Sequence, residues 1–213
     1  MQKPARQIRP KVKGFRGKEP FLKTGDMIHW DSFLERNFIR LADFDLSVDE
    51  LYYQPLEINY QINGKKFRYY PDFKMILESN KVCIVEVKTE RFFNTEKNAI
   101  KYEVGRRYCE ERGWQYEVFT ERQINPGFLQ SNLSLLRHLG TQDVPERVEE
   151  FILNQLKKVN DNIPFFELRE SCEELEDETF YAAAYRLIYL QEIQTDLINK
   201  KVTDESLLSY EGD

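Results

Sequence analysis

The 213-residue sequence predicts a mixed α/β domain followed by a smaller, mostly helical one, and three observations carry that prediction. Alternating apolar residues over 56–62 and 65–77 flank Asn63-Gly64, the strongest short signal for a β-hairpin. Val82 to Val87 is apolar apart from Glu86, which is how a strand covered on both faces reads. After Asn125, Pro126 and Gly127 the strand signals stop and amphipathic helical periodicity takes over. The expected organisation is a basic extended arm over 1–24, an α/β domain over 25–123 and a helical domain over 124–213.

With 41% hydrophobic and 32% charged residues, the chain reads as soluble and globular, neither disordered nor fibrous. No apolar run approaches the roughly 20 residues that span a bilayer, and the basic N-terminus lacks the apolar centre of a signal peptide, so the expected place is the cytoplasm, without a membrane partner. Cys83, Cys109 and Cys172 are odd in number and widely spaced, which favours reduced, buried thiols over disulfides or a zinc site. His29 and His138 are the only histidines. Metal chemistry would therefore rest on carboxylates, favouring magnesium or manganese over zinc. Charge is unevenly spread: about +7 over residues 1–24, about −3 over 25–119 and about −10 over 120–213. The first segment suits nucleic acid and the last suits a protein partner.

The arm carries Lys11, Lys13, Arg16 and Lys18 among prolines and glycines, a composition for phosphate contacts rather than for a helix. Asp31-Ser32 starts a helix over 33–42 with Leu34, Phe38, Leu41 and Ala42 as its apolar stripe and Glu35 at the edge of that stripe. Strands are expected over 56–62, 65–77 and 81–89 as an antiparallel meander. Pro71 cannot donate to a ladder, so it marks a break that re-aims Asp72. Thr95 caps a helix to about Arg112, with Ile100, Val104, Tyr108 and Cys109 inward and Gly113 ending it. Lys97 and Lys101 share one face of that helix and are further candidates for phosphate contact. Residues 114–119 read as a strand, parallel to its predecessor through the crossover helix. In the last third, helices are expected over 128–139, 144–159, 163–172 and 177–193, then a hairpin over 194–203. Helices followed by a small hairpin suggest a winged helix. Its last helix follows Glu173, Glu174, Glu176, Asp177 and Glu178 and would repel phosphates, so a protein adaptor is the preferred reading.

In a strand side chains alternate, so Glu86 and Lys88 point to one face and Val85 and Val87 to the other. Pro71-Asp72 one strand earlier, then Glu86, Val87 and Lys88, resembles the active-site signature of the PD-(D/E)xK nucleases, whose core has the same order of helix, hairpin, strands and crossover. That resemblance implies a restriction-endonuclease-like fold and metal-dependent phosphodiester hydrolysis. Asp72 would bridge two magnesium or manganese ions, Glu86 and the Val87 carbonyl would complete the first site, and Glu35 would help hold the second or orient water. Lys88, its pKa lowered by the cations and by burial, would help position or deprotonate the nucleophile.

The resemblance narrows on Leu22 to Trp30, Ser32 to Phe38, Gln54 to Leu56, Tyr70 to Phe73 and Val85 to Lys88. Together these look like TnsA, the endonuclease family of heteromeric cut-and-paste transposases, including those of CRISPR-associated transposons. It implies a bacterial protein that nicks the 5′ ends of the transposon, beside a TnsB-like subunit that cuts and joins the 3′ ends. The C-terminal domain would engage a TnsC-like AAA+ regulator. By motif position, Glu35, Asp72 and Lys88 match the family's catalytic acids and lysine. Some relatives carry Gln where Glu86 stands, and Glu86 is the fuller metal ligand. A stand-alone restriction or repair nuclease and a non-catalytic assembly adaptor are the alternatives.

Overall fold

A four-stranded mixed sheet is the centre of the first of two units, Met1–Asn125 and Pro126–Asp213, into which the chain divides. The structure, a computed structural model, describes residues 4–6, 15–159 and 162–210. The first elements are β1 (Gly17–Phe21) and β2 (Asp26–Trp30), an antiparallel hairpin turned at Gly25 with φ 71°. The extended arm expected over 1–24 is thereby corrected, because its last third is a strand. Two of its basic residues are drawn into the fold: Arg16 pairs with Asp31 at 3.0 Å, and Lys23 Nζ donates to the Val48 carbonyl at 2.6 Å.

Helix α1 (Phe33–Phe44) starts where expected, the Ser32 hydroxyl accepting from the Glu35 amide at 3.2 Å. Phe38, Ile39 and Ala42 are buried, while Leu34 and Leu41 border the core. Strand β3 (Val48–Tyr53), missed in the sequence, pairs with β6 (Phe73–Leu77). A register shift between Val48 and Glu50 breaks its alternation, so the buried Val48, Leu51 and Tyr53 do not fall on a period of two. The expected three-strand meander is also corrected. β4 (Ile58–Ile62) and β5 (Lys65–Tyr69) form a separate two-stranded ribbon, and β6 begins only after Pro71. Strand β7 (Val82–Val87) runs antiparallel to β6, pairing Val85 with Phe73, and parallel to β8 (Gln115–Phe119).

The sheet is covered on both faces. On one, Phe38 of α1 meets Phe73 and Phe119 with ring centroids 5.1 and 5.0 Å apart. On the other lies α3 (Glu96–Glu110), which follows a short α2 (Glu90–Phe93) and is capped by the Thr95 side chain. Its inward residues are Asn98, Tyr102, Gly105 and Cys109, not the expected Ile100, Val104 and Tyr108. The helix is rotated because Gly105 lies against the Tyr116 ring, so closely that a Cβ there would come within 2.3 Å of it. The unit ends in α4 (Glu121–Ile124), closed by a Thr120–Gln123 capping box.

The second unit contains α5 (Leu129–Leu139), α6 (Glu146–Lys157), β9 (Ile163–Pro164), α7 (Phe165–Glu170), α8 (Asp177–Tyr189) and β10 (Leu207–Leu208). Leu136, Ile152, Leu156, Phe165, Phe180 and Leu187 are among its fully buried side chains. The hairpin expected over 194–203 does not form. Its residues loop out, and the ladder is instead β9 with β10, extended by a bridge from Gln194 to Ser209. The buried Asn132 side chain holds the loop, donating to the Leu197 and Lys200 carbonyls at 2.8 Å each and accepting from the Val202 amide at 3.1 Å. Among the described residues no helix is long and apolar enough to cross a membrane.

Gly105→Ala is expected to destabilise the protein by about 1–3 kcal/mol through overpacking, against the roughly 0.5–1 kcal/mol that alanine usually gains inside a helix. Urea unfolding of the two proteins checks the sign.

Candidate active site

Asp72 stands one residue before β6, where the strand break after Tyr69 frees its side chain and the pairing of Phe73 with Val85 aligns it with the end of β7. Its Oδ2 accepts the Val87 amide at 2.8 Å, and its own carbonyl accepts from the Gln54 amide at 2.7 Å. Glu86 is 2% exposed, on the sheet face covered by α3. One of its oxygens takes the Lys88 ammonium at 2.9 Å and the other the Tyr69 hydroxyl at 2.8 Å. Tyr69 in turn shares a hydrogen bond of 2.9 Å with the Tyr116 hydroxyl. Every polar atom of Glu86 is thus engaged, which is what a buried carboxylate requires.

Asp72 keeps a partly open face, yet desolvation, then Glu86, then Glu35 push its carboxyl well above the ordinary range, against the pull of Lys88 and of the Val87 amide. Desolvation lowers the Lys88 amine, as expected, but the charges of Glu86 and Asp72 outweigh that and raise it above the usual lysine value, so beside these two carboxylates Lys88 is held as an ammonium. The Tyr102 hydroxyl on α3 is buried without a hydrogen-bond partner among the described residues, within electrostatic reach of Lys88, Glu86 and Asp72.

Glu35 acts on Asp72 through its charge. Its carboxylate accepts from the Asp31 amide at 2.7 Å and from the Ser32 hydroxyl at 3.0 Å, holding the first turn of α1. That helix lies on the opposite face of the sheet from Glu86. The Tyr53 hydroxyl is raised by desolvation and then by Asp31, Glu35 and Asp72. Among the described residues no three His, Cys, Asp or Glu side chains form a group that could hold a metal ion. The donor chemistry nevertheless fits a hard divalent cation. Asp72 and Glu86 are oxygen ligands whose mutual repulsion already favours a proton on Asp72, and a cation relieves the same repulsion.

Of the residues expected to meet phosphates, Lys11 and Lys13 lie outside the described residues. Arg16 is taken up by Asp31, and Lys18 and Lys97 are exposed. Lys101 sits over the Tyr69 ring, its Nζ 5.3 Å from the centroid. Tyr69, Tyr102 and Tyr116 were not anticipated. Only the even spacing of Tyr116 within its strand, which sets it on the face of α3, hinted at them.

Residues 45–121 match the family model of the TnsA-like endonuclease N-terminal domain. Over those residues the chain is similar to a TnsA-like endonuclease domain. The match covers β3 to β8 with Asp72, Glu86 and Lys88, and leaves α1 with Glu35 outside it. No match is found among curated proteins. The mixed sheet with helices on both faces is the restriction-endonuclease-like arrangement that the TnsA resemblance implies.

Cys83, Cys109 and Cys172 are free and buried, as read from their spacing. Tyr69→Phe removes the neutral donor to Glu86 and the link to Tyr116, and is expected to cost about 1.5–3 kcal/mol, the range for a hydrogen bond to a charged group. Thermal unfolding measures it. A loss below about 0.5 kcal/mol would mean that Tyr69 does not support Glu86.

Proposed function

We propose that this chain is the DNA endonuclease subunit of a cut-and-paste transposase, hydrolysing phosphodiester bonds at the 5′ ends of the transposon. The observation that carries the reading is the convergence of Asp72 and Glu86 from adjoining strand ends, with Lys88 ion-paired to Glu86, inside the segment that matches the TnsA-like endonuclease model.

Asp72, Glu86 and the Val87 carbonyl would hold a magnesium or manganese ion, with Glu35 available towards a second. When bound, such ions neutralise charge on the phosphoryl oxygens and acidify a coordinated water. The protein's own residues supply the rest. Val87 fixes Asp72 through its amide, and Tyr69 fixes Glu86 from the side away from Lys88. Lys88, charged and half-buried, is suited to bind a non-bridging phosphoryl oxygen or to orient the attacking water. A role as general base requires its carboxylate neighbours to be neutralised first, because they hold its proton.

The second unit is read as the adaptor. Glu167, Glu170, Glu173, Glu174, Glu176 and Glu178 are exposed on or beside α7 and the start of α8, a surface suited to a basic protein partner such as a TnsC-like AAA+ regulator. A TnsB-like subunit would make the complementary cuts at the 3′ ends. The compact helices and the β9–β10 ladder support a winged-helix-like reading of this unit.

Strand-specific mapping of cuts at transposon ends, with magnesium and with or without the partner subunits, tests the function. Asp72→Ala is expected to abolish 5′-strand cutting, a loss of at least about a thousandfold for removal of a metal-binding carboxylate that acts with its neighbours as a unit. Unchanged cutting by that variant removes the mechanism. Full cutting by the parent chain alone supports a free-standing nuclease instead.

A further inference from the structure

The β4–β5 ribbon stands apart from the main sheet and has two chemically different faces. In its register Asn59 pairs with Arg68 and Gln61 with Lys66, while Tyr60 pairs with Phe67 and Ile62 with Lys65. Residues directly opposite in an antiparallel pair share a face. One face therefore presents two carboxamides and two cations, Asn59, Gln61, Lys66 and Arg68, all exposed. The other carries the stacked rings of Tyr60 and Phe67, 5.5 Å apart. At the base Ile58 and Tyr69 are 4% and 1% exposed, and Tyr69 reaches Glu86, so the root of the ribbon is part of the candidate active site. At the tip Asn63 and Gly64 have φ of 50° and 77°, the two positive values of a tight hairpin turn whose twist suits its strands. Residues 58–69 contain Lys65, Lys66 and Arg68 and no acid.

We propose that this ribbon is a duplex-DNA contact, its polar face entering the major groove next to the strand to be cut. This deepens the nuclease reading of the same unit and rests on it. The major groove admits a two-stranded ribbon, and Asn, Gln, Arg and Lys are the side chains that read base edges and phosphates there. Glu57 lies at the root of this face, 3.7 Å from Arg68, but Arg68 is 67% exposed and an ion pair in such a position is weak enough to be exchanged for a phosphate. Among the described residues Lys65 and Lys66 form no ion pair. Lysines on an exposed edge also discourage strand-to-strand aggregation. That role needs charge alone and does not account for Gln61 opposite Lys66, while Asn59 hydrogen-bonds Glu57 at the root of the face.

The test uses the full chain and a fluorescently labelled duplex, with EDTA present so that no cutting intervenes, titrated across a salt series. The triple variant Lys65→Ala/Lys66→Ala/Arg68→Ala is expected to bind at least about tenfold more weakly at low salt. Its slope of log affinity against log salt should fall by about 2 to 3, at about 0.9 for each phosphate that the variant no longer neutralises. Lys65→Arg/Lys66→Arg keeps the parent's slope, and unchanged thermal unfolding of the triple variant separates the effect from misfolding. Equal affinity and slope in the parent and the triple variant overturn the proposal, as does a parent chain without salt-dependent binding to duplex. Because binding is read without catalysis, a chain that binds through the ribbon but cuts nothing even with magnesium and its partner subunits would sink the nuclease reading and leave the ribbon's role in binding standing.

Discussion

The hydrogen bond from the Val87 amide to Asp72 Oδ2 is the contact on which the candidate site depends. It joins the strand break after Tyr69 to the end of β7, and so brings a carboxylate up beside Glu86 at the edge of a covered sheet. Two carboxylates in so dry a place repel, and the fold answers with donors from several directions: a backbone amide for Asp72, and a phenol and an ammonium for Glu86. The answer is incomplete, since Asp72 still holds its proton more tightly than a free carboxyl does. A carboxyl raised in the folded state contributes stability at low pH, and that contribution is lost as pH rises from the ordinary carboxylate range through the raised value. Such a cost is typical of a site built for a cation or a substrate, and unusual in a patch whose only role is packing.

The tyrosines show how that arrangement is kept rigid. Tyr69 and Tyr116 form a two-ring bridge from the root of the ribbon to the parallel strand, and Gly105 lets α3 close over it without a side chain in the way. The same feature that rotates the helix away from its expected face therefore sets the back wall of the site. On the other sheet face the tilted ring contacts of Phe38 with Phe73 and Phe119 fix α1, and with it Glu35. Glu35 has a second duty as the first-turn partner of Asp31 and Ser32.

Much of this was legible in the sequence because it rests on local rules. Ser32 and Thr95 are capping residues, Asn63-Gly64 is a hairpin turn, and the near-unbroken apolar run of β7 marks a buried strand. Pro71 marked the break that frees Asp72. What was hidden depended on tertiary partners. The bulge in β3 destroyed its alternation, the inward face of α3 was chosen by a glycine and a tyrosine from different elements, and β1 lay in a stretch whose charge resembles a tail. The hairpin expected over 194–203 failed because Asn132, 65 or more residues away in sequence, supplies the hydrogen bonds that the loop needs. The four residues of the motif were visible as letters, but not the phenol that holds Glu86 or the ammonium state of Lys88, since both depend on who stands opposite.

The claim at the centre is that Asp72 and Glu86 form one cation-binding pair. Manganese binding to the full chain, followed by electron paramagnetic resonance of the free ion, tests it without any need for DNA or partners. Saturable binding that weakens at least about tenfold in both Asp72→Asn and Glu86→Gln is the predicted result, a loss of the size seen when the surroundings of a metal site are altered. Equal binding by the parent and both variants, or none by any of the three, would contradict it.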